Sequence, residues 1–288
     1  MIKLDLPIFS NAVEELRLGL IGKRKQYNMT LDEEIQVKEI YDQYELSKGQ
    51  TQTFLKAEHL DVSFRDAIQL AYKQVAEGKR LEKLRARILL DTQDCTCCGL
   101  VGSDTIDHYL PQEDYPVLAV YSSNLIPLCQ KCNNKKRSVD GSIPGKRFVH
   151  AYYDNLPDNV QFLIAKVAMK EGALMIDFEI DDTSPLDSGL LISLNYQLNR
   201  VDFYKRAKRQ VNDFLGGLAV YIEQDYHSDK TNGVKTGLER NYHYHLKNSG
   251  INNWKTVLFQ ELMNCTEFCE GGFYTALNIE ISKSVFIT

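Results

Sequence analysis

Two Cys-x-x-Cys pairs, Cys95/Cys98 and Cys129/Cys132, constrain this chain more than any other feature. Four thiolates in two such pairs can close a tetrahedral Zn2+ site, and closing it draws the two ends of the intervening segment together. The first knuckle holds a further thiol, Cys97, but the 95/98 spacing repeats that of 129/132, so Cys97 is read as a bystander. A disulfide framework fits poorly, because the cysteine count of 7 is odd and no signal peptide is visible. The N-terminal stretch MIKLDLPIFSN has neither a basic leader nor a long apolar run, and no window approaches a membrane span. The expectation is a soluble protein of a reducing cytoplasm, with thiolates held for metal and no membrane partner.

Between the two pairs lie Asp107-His108 and Asn124, and Asn133 follows Cys132 directly. Asp107 and Asn133 offer hard oxygen ligands to a divalent ion, while the His108 imidazole can take a proton from an attacking water. That is what a one-metal phosphodiesterase needs. The combined order, Cys95 to Cys98, Asp107 to Pro111, then Asn124 to Lys136, resembles the HNH (ββα-metal) endonucleases, in the subgroup with a structural zinc knuckle.

The resemblance implies His108 as general base, Asn124 as the middle asparagine that fixes the hairpin loop, and Asn133 at the third position, where many relatives carry histidine. Asparagine keeps a carbonyl oxygen for Mg2+ or Mn2+ but offers no imidazole to softer metals, so magnesium is expected at the active site and zinc only at the four cysteines. A looser similarity, over Phe148 to Asp154, is to longer HNH proteins that act as effector subunits of antiphage defence systems. It implies DNA cleavage in concert with an ATPase partner. No P-loop occurs in this sequence, so any ATP hydrolysis would come from another chain. His150 and Asp154 are read as packing residues outside the primary site.

The formal net charge of −5 is unusual for a nucleic-acid protein, but distribution matters more than the sum. Lys131, Lys135, Lys136 and Arg137 cluster beside the second knuckle, where they are expected to contact the phosphate backbone of duplex DNA. Such contacts position a duplex without reading it, so low sequence specificity is expected. A second basic cluster, Lys205, Arg206, Lys208 and Arg209, is read as a solvated helix face. Two other readings stay open: an RNA- or tRNA-cleaving HNH nuclease, and a catalytically silent zinc-knuckle binding module.

Around this centre the expected class is α+β, with a small ββα-metal core flanked by a mainly helical N-terminal region and a helix-rich C-terminal domain containing a β-hairpin. The expected boundaries are 1–90, 91–150 and 151–288. Apolar spacing predicts helices from Ser10 to Ile21, from the capping box Thr30-Leu-Asp-Glu33 to Gly49, from Ser63 to Val75, and over RLEKLRARILL. Phe162 to Met169 and Ala173 to Ile180 flank Lys170-Glu171-Gly172 as a hairpin. Further helices are predicted after Ser184-Pro-Leu-Asp187, over Val201 to Ile222 and over Asn253 to Phe268, where Cys265 and Cys269 are read as buried thiols. His59 is read as a surface histidine, and His243 and His245 as non-ligands.

Overall fold

The computed structural model describes residues 3–6, 11–21, 27–90, 92 and 94–279; Ser10, where the first helix is expected to begin, lies outside them. Helix α1, Ala12–Leu20, is capped by Asn11, whose Oδ1 accepts from Glu14 N. The capping box of α2, Leu31–Ser47, forms in both directions: Glu33 N donates to Thr30 Oγ1 at 3.2 Å and Thr30 N to Glu33 Oε2 at 2.8 Å. This helix buries Val37, Ile40, Tyr41 and Tyr44 on one face. Helix α3, Val62–Ala71, tightens into a 3-10 turn over Tyr72–Val75, and α4 spans Glu82–Leu90.

Strands β1, Thr105–His108, and β2, Leu125–Leu128, pair antiparallel with Thr105 opposite Leu128 and His108 opposite Leu125. Helix α5, Gln130–Lys136, follows directly and packs on β1. The alternation of side chains along β1 puts Thr105 and Asp107 on one face and buries Ile106 and His108 on the other.

The chain divides into two compact units, Met1–Asn155 with Ser188–Val201, and Leu156–Asp187 with Asp202–Thr288. The expected helical region 1–90 and the core 91–150 therefore fall in a single unit. The physical reason is that α3 packs on the 3-10 turn Pro116–Leu118 and α4 packs on β1 and β2, so the helices share the core of the strands. Helix α6, Ser188–Arg200, expected within the C-terminal domain, belongs to this first unit. Its Gln197 accepts from Val149 N and donates to the Cys97 carbonyl, both at 2.8 Å.

In the second unit β3, Leu163–Lys170, and β4, Ala173–Ile180, form the expected hairpin, whose turn puts Glu171 and Gly172 at positive φ. Helix α7, Phe203–Ser249, runs well past the predicted end at Ile222 and is interrupted at Asp229 and Lys230, which leave helical φ/ψ. A straight helix at 1.5 Å per residue would hold Asp225 and Arg240 about 22 Å apart, yet they form an ion pair at 2.7 Å. The chain thus folds back on itself there. Gly233 and Gly237 permit the close return, since a Cβ on either would lie 1.9 Å from an oxygen of Asp225.

Helix α8, Trp254–Asn264, packs on both α7 and β3 and ends short of the predicted Phe268. A π-type turn over Phe268–Gly272 leads into α9, Phe273–Ala276. Cys269 is buried and Cys265 half-buried. His243 and His245 lie on helix rather than strand, so they diverge: His245 stacks on Phe259, whereas His243 sits exposed beside Glu239. Among the described residues no helix is long and apolar enough to cross a membrane.

Candidate active site

The hairpin and α5 bring the ends of the two knuckles together. Sγ atoms of Cys95, Cys98, Cys129 and Cys132 all lie within 4.8 Å of one another and all four residues are buried. A tetrahedral ion with Zn–S bonds of about 2.3 Å requires S···S edges of about 3.8 Å, and Cys98 Sγ stands 3.9 Å from Cys129 Sγ. Cys129 N donates to Cys95 Sγ at 3.2 Å. The donor set fits a structural metal such as zinc. Cys97 is buried but stands outside the set of four.

His108 ends β1 and turns its ring inward. Nε2 lies 2.9 Å from the carbonyl oxygen of Ala119. A carbonyl can only accept, so Nε2 carries the proton and Nδ1 keeps its lone pair. The Tyr72 ring tilts against the imidazole at 4.3 Å between centroids, and Tyr72 Oη donates to the Ile106 carbonyl at 2.8 Å. Burial pushes the His108 pKa down to about 4, with the Lys136 ammonium adding to the effect and the Ala119 bond opposing it. The imidazole is therefore neutral at ordinary pH, with its Nδ1 lone pair unprotonated.

Asp107 points to the other face. Its Oδ1 accepts from His108 N at 2.8 Å, while Oδ2 is buried and accepts no hydrogen bond among the described residues. Burial raises the carboxyl pKa, and Lys136 works against that rise. A buried carboxylate oxygen with no hydrogen bond, and only the Lys136 ammonium at 3.8 Å for a counter-charge, is a hard oxygen of the kind a divalent cation takes. Asn133, on α5, donates from Nδ2 to Thr105 Oγ1 at 3.2 Å. Thr105 shares the strand face of Asp107, and the bond directs the amide so that its Oδ1 remains as the oxygen donor.

Asn124 is fully buried in the 3-10 turn before β2. Its Oδ1 accepts from Leu110 N at 2.8 Å and its Nδ2 donates to the carbonyls of Leu110 at 3.0 Å and Leu118 at 3.3 Å. These partners fix the amide orientation, because a flip would set donor against donor and acceptor against acceptor. The loop from Leu110 to Leu118 is thereby tied to the start of β2.

The basic cluster is divided. Lys131, Lys135 and Arg137 are exposed on and after α5. Lys136, expected with them at the phosphate surface, is wholly buried: Nζ donates to the His108 carbonyl at 2.6 Å and stands 3.8 Å from Asp107 Oδ2. The helical period explains the departure, since the position one step from the exposed Lys135 turns toward β1. His150 and Asp154 are held within the fold, Asp154 by a two-pronged pair with Arg147 at 2.7 and 2.9 Å.

A family model described as HNH endonuclease matches residues 95–138. Residues 95–138 are an HNH endonuclease domain. The chain is also 25% identical over 193 residues to Protein ea31 of Escherichia phage lambda, an alignment covering 62% of this chain and 64% of that protein. No solved structure matches the chain.

Several groups around the HNH domain carried no signal as sequence. The Ala119 carbonyl that orients His108 belongs to a residue type without side-chain chemistry. Tyr72 reads as one more apolar position of an α3 stripe, and only the fold shows that it lies on the imidazole.

Proposed function

We propose that the chain is a metal-dependent endonuclease that hydrolyses phosphodiester bonds of duplex DNA, with little sequence preference. The observation that carries the reading is the His108 imidazole, locked by Ala119 into the tautomer with a bare Nδ1; the Asp107 carboxylate, next in sequence, lies on the opposite face of β1 with Lys136 as its counter-charge. His108 Nδ1 takes the proton of the attacking water. Asp107 Oδ2 and Asn133 Oδ1 would hold Mg2+ or Mn2+, which supplies charge stabilisation at the scissile phosphate and the leaving oxygen. Asn124 keeps the loop that presents the Ala119 carbonyl in place. Lys131, Lys135 and Arg137 contact backbone phosphates on either side, which positions the duplex without reading it.

The wider role proposed is that of a nuclease effector in antiphage defence, acting with an ATPase subunit encoded beside it. That role rests on the similarity of the segment Phe148 to Asp154 and on the lack of a P-loop in this sequence.

The deciding experiment is cleavage of supercoiled plasmid, linear duplex and total RNA with Mg2+, beside His108→Ala and an EDTA control. DNA cut by the wild type alone, and only with metal, is the expected result. Preferential cutting of RNA would replace the substrate, and cleavage that survives His108→Ala would overturn the site. The same assay with the neighbouring ATPase tests the partner, which should co-purify.

A further inference from the structure

The matched segment ends well before His150 and begins well after Tyr44, yet Tyr44 meets its middle asparagine and His150 meets Tyr44. Tyr44 sits on the buried face of α2, and its Oη lies 3.0 Å from His150 Nε2, 3.1 Å from Asn124 Oδ1 and 3.3 Å from the Ser123 carbonyl. All three side chains are buried. The direction of each bond can be worked out. Tyr152 N donates to His150 Nδ1 at 3.2 Å, so Nδ1 carries no proton. Burial holds the His150 imidazole neutral, so its one proton is on Nε2 and is donated to Tyr44 Oη. The phenol then has a single proton of its own, and the oxygens facing it, Asn124 Oδ1 and the Ser123 carbonyl, can only accept.

A one-way chain results. It runs from His150 through Tyr44 to the turn at Ser123 and Asn124, and from Asn124 Nδ2 to the Leu118 carbonyl. The next carbonyl, Ala119, is the one that receives the His108 Nε2 proton. Gly49, just past α2, belongs to the same arrangement: at φ +72° it approaches so closely that a Cβ would lie 2.6 Å from His150 Cδ2 and 3.1 Å from Tyr44 Oη. The N-terminal helix is thus built tightly around these two rings.

We infer that Tyr44 is a positioning residue for the nuclease centre: its hydroxyl, oriented by His150, fixes Asn124 and with it the carbonyl that sets the tautomer and aim of His108. The inference rests on the proposed role of His108 as general base. It assigns to α2, which lies outside the family motif, a part in the geometry of the reaction. A buried hydroxyl that accepts from one side chain and donates to the Ser123–Asn124 turn differs from ordinary packing because its removal leaves His150 Nε2–H without its acceptor and the turn without its donor from α2.

The test compares wild type, Tyr44→Phe, His150→Leu and the double variant, each with its zinc content and melting temperature measured. Steady-state cleavage of plasmid is read alongside the imidazole 15N NMR signals of His108. The expected result is a kcat lower by roughly tenfold or more, as small displacements of a reacting group produce, with KM within about twofold. The double variant should be no slower than the slower single variant, because the two residues act as one chain. In the NMR spectrum the single Nε2–H tautomer of wild type should give way to a tautomer mixture in Tyr44→Phe.

A kcat and a tautomer signal both unchanged, with only the melting temperature lowered, would overturn the inference and leave the nuclease reading standing. A wild-type protein that cuts nothing would overturn the nuclease reading instead, and the imidazole spectrum alone then decides whether Tyr44 positions His108. Should Tyr44→Phe fail to retain zinc, His150→Leu carries the same comparison with Tyr44 intact.

Discussion

Lys136 Nζ donates to the backbone carbonyl of His108 at 2.6 Å, from a side chain with no exposed surface. The helix that follows the second knuckle thereby grips the strand that carries the proposed base, and the ammonium also faces the Asp107 carboxylate at 3.8 Å. Replacing Lys136 with Met leaves a buried carboxylate without its counter-charge, a change that destabilises by about 3 kcal/mol. Thermal denaturation should show the loss, and cleavage should fall with it. Lys136→Arg, too large for this space and differently directed, should not restore either.

His108 titrates far from where a surface histidine would. Burial holds its folded pKa at about 4, against an ordinary value of 6.5. A group with a depressed cationic pKa is stabilising when neutral: above 6.5 its full contribution is present, and stability falls as pH drops from 6.5 to about 4, because only the unfolded chain binds the proton in that window. The shift corresponds to about 3 kcal/mol at 1.36 kcal/mol per pKa unit. Denaturant titrations across pH 4–6.5 should show this slope in the wild type and a shallower one in His108→Ala. Cleavage should lack an acid limb near pH 6.5.

The zinc knuckle closes the segment that carries every proposed active-site residue. Cys129→Ser removes one of the four clustered sulfurs, the one 3.9 Å from Cys98 Sγ, and leaves the backbone N–H that bonds Cys95 Sγ. Metal affinity in such sites is folding free energy, so the variant should lose stoichiometric zinc by elemental analysis and lose cleavage together. Cys97→Ser should retain its zinc, since Cys97 is not among the four.

Lys131 and Arg137 stand exposed on either side of the Asn133 turn. If each neutralises one phosphate, removing both should lower the slope of log K against log salt by about 1.8. Fluorescence anisotropy with duplex DNA of two unrelated sequences should show the same loss for both. A loss confined to one sequence would contradict the backbone-contact role.

Much of the ligand chemistry was readable in the chain. Cysteine spacing marked the four-sulfur set, and the local elements followed from patterns that act over a few residues: the Thr30/Glu33 capping box, the Gly172 turn, the short apolar run of β2. The extension of α7 was less readable, because its second half is largely polar and buries few apolar side chains, Val234 and Leu238 among them. What the N-terminal helices pack against was not readable, because a sequence shows where helices begin and end but not what their buried faces cover.

Lys135 and Lys136 make the division plain. Their type and order along the chain are matters of sequence, as are the candidate base, the candidate ligands and the zinc knuckle, since each depends on residue identity and short spacing. Which lysine meets solvent and which is sealed against Asp107 was decided by the packing of α5 on β1, a contact between segments that are distant in the chain. The same holds for the tautomer of His108, set by a carbonyl in the loop before Asn124, and for Tyr44, brought across 80 residues to Asn124. Hydrogen-bond direction and desolvation exist only once those distant groups have been brought together, and so only the tertiary structure could settle them.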